Sequence, residues 1–278
     1  MKGLIITAGY GTRFLPVTKT IPKEMLPLID KPSIAFIIEE FIASGINEII
    51  MVTSRRKKSL EDYFDREIEL ESIFKNEGNL SKLEKIKPYD AEIVYIRQKE
   101  MLGTGHAILS AKSLLRNEPF VTAYPDDLHF GEVPLAKQLI QAYEESGCTV
   151  LATLHDPPAI NRYGVLTLDK DNYHALDIVE KPPLDKLPSK EASIGRFLST
   201  PDFLEHLEEG WKKHKGGEYF HVYGLKKLME KRRVVYKQVE GLRLDIGTPE
   251  GYIEAIIEYA LNHPEYSDIL KKLAQKKL

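Results

Sequence analysis

Cysteine is nearly absent from this chain of 278 residues. The one thiol, Cys148, excludes an internal disulfide and any multi-cysteine metal site. Its setting, Cys148-Thr149-Val150-Leu151-Ala152, is that of a small buried hydrophobe. Long apolar runs are missing as well. No window approaches the roughly 18 uninterrupted apolar residues of a spanning helix, so no membrane partner is expected. The opening Met1-Lys2-Gly3-Leu4-Ile5-Ile6-Thr7-Ala8 is too short an apolar stretch for a signal-peptide core, and a cytoplasmic location is the expectation. Strong charge of either sign is the third absence. A net charge of −3 lacks the basic excess of a general nucleic-acid binder, so no nucleic-acid partner is expected. The run Arg55-Arg56-Lys57-Lys58 stays open as a local anion site, although a solvated helix end is the simpler reading, as it is for Lys271-Lys272 and Lys276-Lys277. Internal repeats and low-complexity tracts are also missing. The remainder is ordinary: 42% hydrophobic and 29% charged residues, enough for one large domain or two modest ones with a real core.

Short apolar runs alternate with helical patterns through the first half. Leu4-Ile5-Ile6, Ile49-Ile50-Met51-Val52-Thr53, Ile93-Val94-Tyr95-Ile96, Phe120-Val121-Thr122-Ala123-Tyr124 and Thr149-Val150-Leu151-Ala152 read as strands buried on both faces. Helices are expected over 33–44, 104–115 and 134–146, the first stopping at Ser44-Gly45. Residues 56–90 are charged and helical in character, an elaboration outside the sheet. Beyond Tyr163, the stretches 163–168 and 175–180 read as antiparallel strands about the turn Lys170-Asp171-Asn172. Helices at 201–209 and 223–231, a strand at 234–239, and a helix at 249–262 led by Pro249 and capped by Thr248 complete the pattern. The fold class that follows is α/β: a Rossmann-like, mostly parallel central sheet flanked by helices, with a small antiparallel portion. In such sheets ligands sit beyond the carboxyl ends of the strands, so chemistry belongs in the loops that follow them.

The first of those loops is Thr7-Ala8-Gly9-Tyr10-Gly11-Thr12-Arg13-Phe14-Leu15-Pro16, followed by Lys19 and Lys23. Its glycines allow unusual backbone angles and expose N–H groups to phosphate oxygens. It is not a P-loop, which ends in Gly-Lys-Ser/Thr, and it lacks the third glycine of the dinucleotide fingerprint. A glycine turn alone fits a plain tight turn equally well. Two cations close by, Arg13 and Lys23, suit a triphosphate whose charge must be neutralised during transfer.

Gly9-x-Gly11-Thr12-Arg13, then Pro16, Lys19 and Pro22-Lys23-Glu24-Met25-Leu26-Pro27, resembles the signature of the sugar-1-phosphate nucleotidyltransferases. Within them, Arg-Phe-Leu-Pro-x-Thr-Lys-x-Ile-Pro-Lys-Glu-Met-Leu-Pro resembles the bacterial UTP–glucose-1-phosphate uridylyltransferase branch. The likeness recurs along nearly the whole chain. Gln98 and Gly103-Thr104-Gly105-His106-Ala107 resemble the base-reading segment, and an amide that both donates and accepts matches an imide edge. His106 fits a structural role at a helix start better than that of a base. Tyr124-Pro125-Asp126-Asp127 follows a buried strand, and the resemblance implies that Asp126 binds Mg²⁺, with Asp127 left to cap or orient. Leu244-Asp245-Ile246-Gly247-Thr248 resembles the closing segment in which the aspartate, here Asp245, shares that metal; a plain helix cap is the competing reading. Gly164 and Glu180 are implied to contact sugar hydroxyls, and Lys181 the sugar phosphate. Ile194-Gly195-Arg196-Phe197 is expected to shape the sugar pocket.

The resemblance thus implies an enzyme that makes UDP-glucose and pyrophosphate from UTP and glucose 1-phosphate by Mg²⁺-dependent in-line displacement. Its catalytic residues would be Arg13, Lys23 and Asp126. Its nucleotide site would be Ala8, Gly9, Gly11, Thr12, Arg13, Gln98 and Gly103, its sugar-phosphate site Gly164, Glu180 and Lys181, and its metal ligands Asp126 and Asp245. One nucleotidyltransferase domain is expected over 1–278, with a nucleotide portion to 155, a sugar portion over 156–248 and C-terminal helices beyond. A homo-oligomer, dimer or tetramer, is also implied. One departure stands out: where these enzymes usually carry Asn-Glu-Ile-Gln-Leu-Thr-Asp, this chain has Gly217-Glu218-Tyr219-Phe220-His221-Val222-Tyr223. Only Glu218 is retained, which leaves open the exclusive use of glucose 1-phosphate and of UTP over dTTP. A catalytically silent nucleotide-sugar binder and an inverting glycosyltransferase are the rival classes. The presence of Arg13, Lys23 and Asp126 argues against the first, and the need to manage a triphosphate argues against the second.

Overall fold

Successive side chains of a strand point to opposite faces, so a sheet covered by helices on both sides needs apolar residues at every position. The Lys2–Ile6 strand meets this condition: Ile5 joins the core on one face, Leu4 and Ile6 the core on the other. Glu48–Thr53 repeats the division, with Ile49 and Met51 on the first face and Ile50 and Val52 on the second. A computed structural model describes residues 1–277. Its strands are β1 Lys2–Ile6, β2 Pro27–Leu28, β3 Lys31–Pro32, β4 Glu48–Thr53, β5 Glu92–Arg97, β6 Phe120–Ala123, β7 Asp127–Phe130, β8 Thr149–His155, β9 Gly164–Leu168, β10 Ala175–Glu180, β11 Glu191–Ser199, β12 Val234–Gln238 and β13 Leu242–Asp245.

Nine strands form one sheet in the order β10-β9-β11-β6-β1-β4-β5, with β8 paired to β11 and β12 to β8. The block β6-β1-β4-β5 is parallel, and β11 runs antiparallel to β6, β8 and β9. From β1 the chain moves outward to β4 and β5, then returns to place β6 on the other side of β1. Loops leaving β1 and β6 therefore diverge, and a crevice opens at this switch point. Helices Ser33–Ala43 and Leu135–Ser146 cover one face; Thr104–Ser110, Asp202–Lys213 and Val222–Met229 cover the other. Each large apolar side chain fully buried in these layers contributes roughly 1.5–3 kcal/mol.

The expected elements are present, with instructive differences. β5 is an edge strand and is only half covered, with Val94 at 37% exposure, so the expectation of burial on both faces fails there. The helix expected over 104–115 breaks at Ala111 into Thr104–Ser110 and Lys112–Leu115. Strand β11 and the β7–β13 pair were not expected at all. The helix Pro249–Asn262 starts as foreseen, its Thr248 hydroxyl accepting the Gly251 N–H at 3.2 Å. That helix clamps the glycine loop and its sequel: Tyr252 packs edge-on against Phe14, its hydroxyl donates to the Pro27 carbonyl at 2.6 Å, and Tyr259 donates to Asp30 at 2.9 Å.

Candidate active site

Four loops leave the carboxyl ends of β1, β4, β5 and β6 on one edge of the sheet. Between them lies a cleft of about 400 Å³ lined by Ala8, Gly9, Gly11 and Thr12 from the first loop, Lys23 and Glu24 from its continuation, Gln98 and Gly103 from the third, and Asp126 from the fourth. A second, wider groove of about 1000 Å³ lies between the 58–90 helices and the C-terminal helices. Its walls include Asp62, Asp65, Glu67, Glu84 and Glu265, an acidic lining that repels phosphate, and it contains none of the expected site residues.

Gly11 has φ 67°, and a Cβ there would stand 3.2 Å from the Cβ of Lys23. The Thr18 hydroxyl donates to the Gly11 carbonyl at 2.7 Å. The loop is thus folded back on itself so that Lys23 lies under the glycine turn. Its ammonium reaches across the cleft to Asp126 Oδ2 at 2.6 Å. Burial works against both charges, but the pairing prevails: Asp126 and Glu24 hold the Lys23 ammonium above its ordinary pKa, and Lys23 holds the Asp126 carboxyl below its own. Glu24, next along, is buried and paired with Lys57 at 2.6 Å, which anchors the turn that presents Lys23.

The two aspartates are far apart in sequence and are brought together by β7 and β13. These strands pair antiparallel with Asp245 opposite Asp127, and the Ile246 N–H donates to the Asp126 carbonyl at 2.9 Å. Gly247 marks the meeting point. A Cβ there would be 3.0 Å from a carboxylate oxygen of Asp126, 3.0 Å from one of Asp245, and 3.4 Å from the Arg13 guanidinium. Arg13 itself donates to the Gly247 carbonyl at 3.2 Å. Arg13, Lys23, Asp126 and Asp245 therefore gather in one place: Lys23 and Asp126 line the 400 Å³ cleft, while Arg13 and Asp245 meet Asp126 beside Gly247 without lining it. Asp127 faces the other way: it accepts the Gly195 N–H at 2.7 Å and pairs with Arg243, whose other end lies 3.6 Å from Asp245. Asp127 is a structural carboxylate, leaving Asp126 to the cleft. Two hard carboxylates on one point, with no third His, Cys, Asp or Glu grouped with them among the described residues, is a donor set that fits Mg²⁺ completed by phosphate oxygens.

Gln98 is buried at the end of β5 and donates its amide N–H to the Gly103 carbonyl at 3.2 Å and toward His106 Nδ1 at 3.0 Å. Gly103 has φ 95°, and a Cβ there would strike the Tyr219 carbonyl at 2.5 Å, so the loop is pressed against the 217–223 segment. His106 packs against Trp211 with ring centroids 4.9 Å apart and planes tilted by 45°, and burial lowers its pKa. Away from the cleft, Gly164 and Glu180 pair across β9 and β10, and a Cβ on Gly164 would be 2.9 Å from the Glu180 carboxylate. Lys181 is exposed, at φ 49°, with no ion-pair partner among the described residues. Gly164, Glu180 and Lys181 lie outside the 400 Å³ cleft, although Glu180 and Asp126 both bear electrostatically on the Tyr124 phenol.

Tyr10, Met101, Thr104, Tyr124, Glu218 and Phe220 also line the cleft and were not singled out as site residues. Thr104 and Tyr124 sit inside motifs the sequence displays, which was the available signal. Glu218 and Phe220 lie in the 217–223 segment whose departure the sequence displays, whereas the bridging Arg243 arrives through tertiary packing and carries no such signal.

A family model described as nucleotidyl transferase matches residues 2–262. A UTP–glucose-1-phosphate uridylyltransferase of Staphylococcus epidermidis is 41% identical over 276 residues, covering 97% of this chain and 96% of that one. Among solved structures, a UTP-bound UGPase from Acinetobacter baumannii aligns with a TM-score of 0.89 at 30% identity, over 99% of this chain and 98% of its own. A UDP-glucose pyrophosphorylase complexed with UDP-glucose aligns with a TM-score of 0.80 at 39% identity, over 94% and 99%.

Proposed function

The chain belongs to the nucleotidyl transferase family, and from that premise we propose that it joins UTP to glucose 1-phosphate, forming UDP-glucose and pyrophosphate. The observation that carries this reading is the convergence of Arg13, Asp126 and Asp245 on Gly247, with Lys23 paired to Asp126.

A phosphate oxygen of the sugar 1-phosphate attacks the α-phosphorus of UTP, and the bond from that phosphorus to the pyrophosphate oxygen breaks. The nucleophile is already anionic, so neither a serine or cysteine nucleophile nor a strong base is required. Catalysis reduces to holding two anions in line and neutralising the charge that shifts onto the leaving group. Backbone N–H groups of Ala8 to Thr12 cradle the triphosphate, with Arg13 set against the departing pyrophosphate. Lys23 holds the nucleotide phosphates, and Lys181 the sugar phosphate. Gln98 and Gly103 read the pyrimidine, while Gly164 and Glu180 take sugar hydroxyls. Asp126 and Asp245 would hold Mg²⁺, which would neutralise phosphate charge. In this reading the nucleotide portion ends near 155 and the sugar portion spans 156–248.

Pyrophosphate release with UTP and dTTP, each with glucose and galactose 1-phosphates, tests the assignment. UTP with glucose 1-phosphate should give the highest kcat/KM. A preference for dTTP would move the chain to the thymidylyl branch, and release with no pair would refute the proposal. The altered 217–223 segment, which touches Gly103, favours attention to a second sugar in that panel. A dimer or tetramer is part of the same proposal. Ile253, Ile257 and Leu261 form an exposed stripe on one helix that such a contact would cover, and sedimentation as a monomer would contradict it.

A further inference from the structure

The segment that departs from the family's usual wording places His221 against the junction of the base and sugar ends of the cleft. Its Nδ1 lies 3.0 Å from the Thr104 hydroxyl and 3.2 Å from the Tyr124 hydroxyl. The ring plane is fixed by stacking on Phe197, with centroids 5.1 Å apart and planes 6° from parallel. Its own backbone N–H donates to Thr104 Oγ1 at 3.3 Å, which leaves the threonine proton to turn toward Nδ1. Burial pushes the imidazole down to about 4, so near neutrality the ring is uncharged, and in its Nε2–H tautomer Nδ1 carries the lone pair that faces these hydroxyls. Two hydroxyl donors thus face one acceptor that can satisfy only one of them. Both hydroxyl-bearing residues line the cleft, and the charges of Asp126 and Glu180 both bear on the Tyr124 phenol.

We propose that His221 is a positioning residue for the sugar end of the cleft: its Nδ1 holds one of the Thr104 and Tyr124 hydroxyls and so directs the other to donate to a hydroxyl of the glycosyl phosphate. The proposal rests on the reading of the cleft as a nucleotide-sugar site and deepens it. Leucine, which the family's usual wording has at this position, cannot act as such an acceptor. The chain has therefore exchanged the lost Gln, Thr and Asp groups for an imidazole acting through Tyr124 and Thr104.

The test is calorimetric binding of UDP and of UDP-glucose to the wild-type protein and to His221→Leu, His221→Asn, Tyr124→Phe and the His221→Leu/Tyr124→Phe double variant. Thermal unfolding of each would verify its fold. His221→Leu should weaken UDP-glucose about tenfold, the value of one net hydrogen bond, and leave UDP within about twofold. His221→Asn, whose amide can present an acceptor near the Nδ1 position, should recover most of that loss. The double variant should be no weaker than about the worse single one, because both changes remove the same interaction. Equal weakening of UDP and UDP-glucose, additive losses, or an Asn variant no better than Leu would overturn the proposal. Binding is read without turnover, so a wild-type protein that binds UDP-glucose but releases no pyrophosphate would refute the catalytic assignment alone. A wild-type protein that binds neither ligand would refute both.

Discussion

Lys23 is the residue on which the site's charge balance turns. It lies against the glycine turn on one side and pairs with Asp126 at 2.6 Å on the other. Replacing it with alanine should lower kcat by about 10²–10³, the usual loss when one preorganised donor to a developing charge is removed, in a protein that unfolds at a near-normal temperature. Steady-state pyrophosphate release measures this, and turnover within a factor of two would refute the role. The pair also sets a pH window. The lowered Asp126 pKa means its contribution is complete above the ordinary carboxylate value of about 3.9 and is lost as pH falls through the folded value; the raised Lys23 pKa means its contribution is complete below about 10.4 and is lost as pH rises beyond that. kcat/KM should therefore carry no limb from this pair between about pH 5 and 9. A limb near neutrality that vanishes in Lys23→Ala would contradict the assignment. At this scale the sequence is legible because Gln98, Asp126 and Asp245 are chemically distinctive residues at or just past strand ends, and Arg13 and Lys23 lie in the long loop after β1. Arg243 is not, because an arginine in Leu242-Arg243-Leu244 reads as an ordinary strand side chain until Asp127 and Asp245 flank it.

Among elements, the two-stranded pairing of β7 with β13 matters more than its size suggests. With the Ile246 N–H bond to Asp126, it brings Asp245 to Asp126 across more than a hundred residues of chain, and a buried charge network secures it. Arg243 pairs with Asp127, while Arg196, fully buried, pairs with Glu40 and donates to the Asp127 carbonyl at 2.9 Å. Removing one member of a buried pair strands the other charge, at a cost of about 3–5 kcal/mol. Arg196→Met should accordingly destabilise by that order in urea unfolding, with buried Glu40 left only the Ala136 N–H on its carboxylate; a change below about 1 kcal/mol would show the pair to be dispensable. These strands escaped the sequence because four residues such as Asp127-Leu128-His129-Phe130 give too little alternation to register. The strand β11 was read only as pocket lining for a similar reason: it pairs at different points with β6, β8 and β9, a placement set by tertiary contacts rather than local pattern. Helices with a strong cap, such as that behind Thr248-Pro249, were read to the residue.

Over the whole molecule, the parallel block was legible because runs such as Ile49-Ile50-Met51-Val52 are apolar at consecutive positions, which only a sheet covered on both faces requires. What the runs could not give was the order β5-β4-β1-β6, and it is that order which makes the loops after β1 and β6 diverge. Because the site is assembled from loops spread across the chain, from Ala8 to Gly247, a ligand in it ties the ends of the fold together. UDP-glucose at a hundred times its dissociation constant should add about 2.7 kcal/mol to stability and raise the melting temperature by several degrees. An unchanged melting temperature at saturating ligand would mean that the cleft is not its site.

If Asp126 and Asp245 act on one ion beside Arg13 and Lys23, the loss of one carboxylate must show in a Mg²⁺ titration of pyrophosphate release for the wild-type protein and for Asp245→Asn. The variant, folded and still able to bind UDP, should need at least about tenfold more Mg²⁺ for half-maximal rate and reach a lower plateau, as expected when one of two carboxylate ligands is lost. Superimposable Mg²⁺ curves for the two proteins would contradict that shared ligation.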